Sequence, residues 1–208
     1  MEGLYVQFGC GQMTPERWIN FDASPTVRIQ RIPGLGFLIR ALGSPFPKNV
    51  LYGDICIGLP VGNNSSAGVY CSHVLEHLAL EDCKRALVNT YKILSPGGRF
   101  RLVMPDLQIF VARYVASNDA GAAYQFMAEI GQQKRPRGIR AFLHEWLGNS
   151  AHRWLWDYAA IEHELQQVGF TGIRRAVYGD SVDPIFNLVE EKERWDDCLG
   201  VECQKPPI

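Results

Sequence analysis

The 208 residues carry 47% hydrophobic and 21% charged side chains, enough apolar material for a sizeable core in one domain, 1–208. A formal net charge of −1 gives no overall field that would recruit nucleic acid or an anionic membrane, so neither partner is expected. No apolar run has bilayer-spanning length, the first residues do not read as a secretory leader, and the six cysteines form no Cys-x-x-Cys pair; a soluble, cytoplasmic protein is expected.

In chain order, Leu4–Phe8 reads as a short apolar strand ending at Gly9-Cys10-Gly11. Thr14-Pro15-Glu16 predicts a single helical turn before a second strand, Trp18–Phe21, ends at Asp22. Residues 23–48 are rich in Pro and Gly, with Leu35–Leu42 as a short helix. Val50–Tyr52 and Gly68–Ser72 are the third and fourth strands. Leu80, Cys83, Leu87, Tyr91 and Leu94 recur on one helical face, which predicts a helix over 80–94 stopped by Pro96-Gly97-Gly98. Phe100–Met104 is the fifth strand. Residues 106–147 break the alternation: a helix capped by Asp106, a second over about 120–131, and a basic loop (Lys134, Arg135, Arg137, Arg140) read as an insertion over the strand ends. A helix over 157–168, capped by Asp157 and ended by Gly169, precedes strands Ile173–Tyr178 and Cys198–Cys203. Strands joined by crossovers of a dozen or more residues imply parallel pairing, hence an open α/β sheet.

Ligands of such sheets bind beyond the carboxyl ends of the strands, where the strand order reverses. Four successive ends carry suitable residues: Gly9-Cys10-Gly11, Asp22, Asp54 and Ser72-His73. Glycines let a ligand approach backbone N–H groups closely. A carboxylate after the second strand suits a ribose diol, since it accepts two hydroxyl hydrogen bonds, and one after the third suits an amino group. In order, these features describe an adenosine-bearing ligand. Read singly, Asp22 equally starts a turn and Asp54 equally caps a helix.

Phe8-Gly9-Cys10-Gly11 with Trp18–Asp22 resembles the opening of the class I S-adenosylmethionine-dependent methyltransferases of the type 11 kind. Gly53-Asp54-Ile55, Ser72–Leu78, Leu94–Gly98 and Gly169-Phe170 are similar to their later motifs. The resemblance implies a Rossmann-like, doubly wound, seven-stranded and mostly parallel sheet with an antiparallel last strand. It implies S-adenosylmethionine as cofactor and S-adenosylhomocysteine as product. It places the methionine carboxylate at Phe8 and Gly9–Gly11, the ribose at Asp22, adenine beside Asp54 and Ile55, and Ser72 and His73 under the methionine portion. Two departures stand out: Met13 occupies the place of a third glycine, and the first helix is cut to about a turn.

Methyl transfer from a sulfonium needs an in-line acceptor, deprotonated when necessary. His73 is the first candidate for a base, with His144, Glu145 and Asp106 behind it. The acceptor is expected to be a small molecule, anionic if the basic loop faces the site, and a homodimer is compatible with the chain. His73-x-x-Glu76-His77 matches a zinc-peptidase spacing, but His73 falls at a strand end rather than on a continuous helix, so no metal is expected. A nucleotide-dependent oxidoreductase would need a longer glycine turn, and a non-catalytic adenosyl-binding subunit is the reading from another class.

Overall fold

A computed structural model describes residues 3–32, 45–131 and 152–207. Seven strands form one sheet: β1 (Leu4–Phe8), β2 (Ile19–Asp22), β3 (Val50–Tyr52), β4 (Ser66–Ser72), β5 (Leu94–Pro105), β6 (Thr171–Ala176) and β7 (Cys198–Gln204). Their order is β3-β2-β1-β4-β5-β7-β6, and only β7 runs antiparallel to its neighbours. The order reverses between β1 and β4, so the carboxyl ends of those two strands flank the switch point of the fold.

The described helices are α1 (Pro25–Ile29), α2 (Leu80–Ile93), α3 (Leu107–Ala116), α4 (Ala122–Glu129) and α5 (Tyr158–Val168). The apolar stripe of α2 buries Cys83, Ala86, Leu87, Thr90 and Ile93, and α5 buries Ile161 and Leu165. Both helices lie on one face of the sheet, against Val6, Phe8, Val69, Cys71, Phe100 and Leu102. The caps are those the sequence announces: Asp157 accepts from the Ala160 N–H at 2.8 Å, Gly169 closes α5 at φ 105°, and Asp106 accepts from the Gln108 N–H at 2.9 Å.

The other face is built differently. Alternation along the strands brings Tyr5, Gln7, Asn20, Tyr70, Arg101, Val103 and Glu202 to it. Its cover comes from the β6–β7 connection, whose two 3₁₀ turns (Pro184–Leu188 and Lys192–Trp195) pack Ile185, Phe186 and Trp195 with Trp18, Tyr70 and Val103. Arg101, fully buried, bonds Glu190, Glu202 at 3.1 Å, Asp180 at 2.9 Å and the Val177 carbonyl at 2.7 Å.

Several boundaries differ from the sequence expectations. Residues 14–16 form no helix; Trp18 N–H closes a turn onto the Pro15 carbonyl, and the amides of Gln7 and Asn20 hold the loop through the Met13, Pro15 and Trp18 carbonyls. A helical turn appears instead at Pro25–Ile29, capped by Ser24. β5 begins at Leu94 because Gly97 and Gly98 pair with Lys205, which turns an expected helix stop into strand. β6 starts two residues earlier than expected, at Thr171, and ends at Ala176. The expected helix over 35–42 and the basic loop 134–140 lie outside the described residues; of the 106–147 insertion, α3 and α4 are described.

Candidate active site

β1 stops because Gly9 turns the chain at φ 65°, and a Cβ there would stand 2.2 Å from Val74 Cγ2. Only glycine satisfies both constraints. Gly11, at φ 53°, faces open space: a Cβ on it would meet nothing within 4 Å. Between them Cys10 donates its N–H to the Phe21 carbonyl and tucks its side chain against Val27 and Val50. Burial, with the charge of Asp22, pushes its thiol up to about 12, so it remains a neutral filler at physiological pH.

Asp22 ends the adjacent strand. Its Oδ2 accepts from the Gly11 N–H at 3.2 Å and its Oδ1 from the Ser24 N–H at 2.8 Å. Burial raises its pKa, against those two backbone hydrogen bonds. The Gly53 N–H donates to the Asp22 carbonyl at 3.2 Å, which ties the end of β3 to the same rim. Asp54 follows at once; its Oδ1 accepts from the Cys56 N–H at 2.9 Å and caps the turn over 55–57. Ile55 is 4% exposed and belongs to the core, its carbonyl accepting from Asn89 Nδ2. Thus Gly9–Gly11, Asp22 and Asp54 stand at the carboxyl ends of three neighbouring parallel strands.

Across the switch point, Ser72 ends β4. Its hydroxyl and carbonyl both accept from Arg194, at 2.9 and 2.8 Å. His73, at φ 55°, has both ring nitrogens engaged: Nε2 meets the Arg194 carbonyl at 3.0 Å, and Nδ1 faces Glu76 Oε1 at 3.3 Å. Burial works against its charge, yet the Cys198 thiol, Glu76 and the Arg194 carbonyl outweigh this and push it up to about 10. A small cleft open to solvent lies at this point; Gly9, Cys10, Tyr70, Ser72, Glu191 and Arg194 line it, with Phe8 among the rest.

Of the other candidates, Asp106 caps α3 and pairs with Arg175 at 3.3 Å, while His144 and Glu145 lie outside the described residues. The sequence reading missed Arg194, Glu191 and Tyr70. Arg194 sits in the charged run 190–194, which has the look of a solvated stretch, and nothing local marks it as the partner of Ser72.

The profile of a family described as a methyltransferase domain matches residues 7–102. Over that span, a little under half of the chain, the sequence follows the pattern of a methyltransferase domain. No curated protein matches the sequence. Solved structures share the fold. A chain from the complex of the Haloferax volcanii Trm112 methyltransferase activator with a methyltransferase superposes with a TM-score of 0.53 at 16% identity, over 99% of this chain and 83% of that one. A SAM-dependent methyltransferase of Thermotoga maritima gives 0.51 at 17% identity, over 99% and 83%, and one of Archaeoglobus fulgidus 0.53 at 13%, over 98% and 86%.

Proposed function

We propose that this methyltransferase binds S-adenosylmethionine along the rim formed by β1, β2 and β3 and methylates a small acceptor at the β1–β4 switch point. One observation carries the reading: a half-buried carboxylate at the end of β2, an open glycine loop at the end of β1 and a second carboxylate after β3 converge on one edge of the sheet. The residues present fit the cofactor. Space lies open over Gly11, so a ligand can approach the backbone of the loop closely. Each Asp22 oxygen is used once by backbone, which leaves a second acceptor site on each for a hydroxyl. Asp54 and the backbone of Gly9–Gly11 would hold the remaining polar groups. When bound, the cofactor supplies a methyl group already activated by its positive sulfur.

The chain's own contribution is then binding and orientation. Arg194 fixes the end of β4 by gripping Ser72 twice, and His73 locks the same segment by bonding the Arg194 carbonyl. With both nitrogens engaged, His73 acts as a positioning residue rather than as the base. The basic residues Lys134, Arg135, Arg137 and Arg140 favour an anionic acceptor. Six free thiols fit a reducing, cytoplasmic setting. Incubation with methyl-labelled cofactor and a panel of small acceptors tests the reading. Label is expected in one class of acceptor, with anionic members preferred; protein that binds cofactor yet labels nothing across the panel would favour the non-catalytic subunit.

A further inference from the structure

A second cluster lies beside the rim, and one of its members, Glu76, also touches the site above through His73. Glu76 and His77 belong to the 3₁₀ turn Leu75–His77 that follows β4, and His152 arrives from far along the chain. One ligand atom from each lies within 4.8 Å of the others, and His77 Nε2 stands 3.9 Å from Glu76 Oε1. The two imidazole rings meet edge to face, with centroids 5.0 Å apart.

Backbone contacts build this meeting. The Arg153 and Trp154 N–H groups both donate to the Glu76 carbonyl, at 2.7 and 3.2 Å. The His152 ring packs on Gly131, where a Cβ would come within 2.7 Å of it. Glu76 is 1% exposed, and among the described residues neither of its carboxylate oxygens accepts a hydrogen bond. His73 Nδ1 stands at ion-pair distance from Oε1, 3.3 Å, and Oε2 has no partner among the described residues. A carboxylate so buried, with one oxygen left over, calls for a further cation or donor.

We propose that Glu76, His77 and His152 hold a first-row divalent transition-metal ion, with zinc the best match. Two imidazole nitrogens and one carboxylate oxygen suit such borderline ions; magnesium and calcium favour oxygen-only shells. Tetrahedral ligands about 2.1 Å from zinc stand about 3.4 Å apart, so a small side-chain movement closes the cluster. Three protein ligands leave a fourth position open for water or another donor. The set differs from the zinc-peptidase spacing in the sequence: His73 turns to the Arg194 carbonyl, and His152 takes the third place. The ion would pin the chain at 152–154 to the end of β4, close to the point where Trp156 bridges to Asp106.

The full chain, stripped with a chelator, should be titrated with Zn²⁺ by calorimetry and with Co²⁺ by absorption spectroscopy. One equivalent should bind, raise the melting temperature, and give a Co²⁺ spectrum of nitrogen and oxygen ligation without thiolate charge-transfer bands. Glu76→Gln and His152→Ala should each lower the affinity by more than roughly a hundredfold, beyond the usual loss of an outer-shell partner. If Glu76→Gln fails to fold, His152→Ala carries the test. No stoichiometric binding, undiminished binding by His152→Ala, or thiolate bands would overturn the assignment. The titration needs neither cofactor nor acceptor, so its result is separate from that of the methyl-transfer assay.

Discussion

Asp22 serves two partners with one carboxylate. It organises the glycine loop through Gly11 and the start of α1 through Ser24, and it offers the rim a negative group still able to accept. Asp22→Ala is therefore expected to weaken binding of S-adenosylhomocysteine by roughly tenfold or more, through loss of charge-assisted hydrogen bonds. Calorimetry measures this, and a parallel melting curve shows whether the loop has also loosened; unchanged affinity would remove Asp22 from the cofactor site. The type and place of this residue were readable, because a carboxylate at a strand end stands out from an apolar run. Arg194 was not. Its contact with Ser72 joins positions 122 residues apart, and no short-range pattern encodes such a distance. His73 shows a third case: its position after β4 is legible and Glu76 stands only three residues on, but the Arg194 carbonyl that meets Nε2 depends on how the chain returns over the rim.

At the scale of elements, the strands nearest the site were the most legible. β1 and β3 fall where alternation and the closing glycines put them, α2 follows from its apolar stripe, and α5 from its stripe and caps. Residues 14–16 form a loop instead of the expected helical turn because a local signal for helix, Pro15 after Thr14, loses to buried amides from Gln7 and Asn20. Those amides, with Arg101 and Glu202, are polar residues inside strands, and the face they share is the one that lacks α2 and α5. Arg101 is the centre of that layer, with Glu190 and Glu202 almost fully buried beside it. Arg101→Ala should destabilise the fold by about 3–5 kcal/mol, since two carboxylates would be left without their cation. Denaturant unfolding reads this loss, and a change below about 1 kcal/mol would show that the layer tolerates its own unpaired charge.

Among the described residues, α2 and α5 cover one face, and the other carries a connection tied by ion pairs, which responds to acid. Partial burial works against the charge of Asp180, yet hydrogen bonds from Arg174, the Val177 backbone and Arg101 hold it below 3.8. Its folded pKa is lower than its unfolded one, so the stabilisation is present at neutral pH and is lost as pH falls from about 4 downwards. The melting temperature should fall over that range, and Asp180→Asn should flatten part of the slope; an unaltered slope would place the acid sensitivity elsewhere. The parallel pairing of the first strands follows from their crossovers, whereas the cover on the second face does not, because short 3₁₀ turns carry no periodic signal. The convergence of β1, β2 and β3 on an adenosyl group is tested most directly by melting curves with S-adenosylhomocysteine and with NAD. At about a hundredfold excess over its dissociation constant, S-adenosylhomocysteine should raise the midpoint by roughly 5 °C or more and NAD should leave it in place. No shift with S-adenosylhomocysteine, or an equal shift with NAD, would contradict the account.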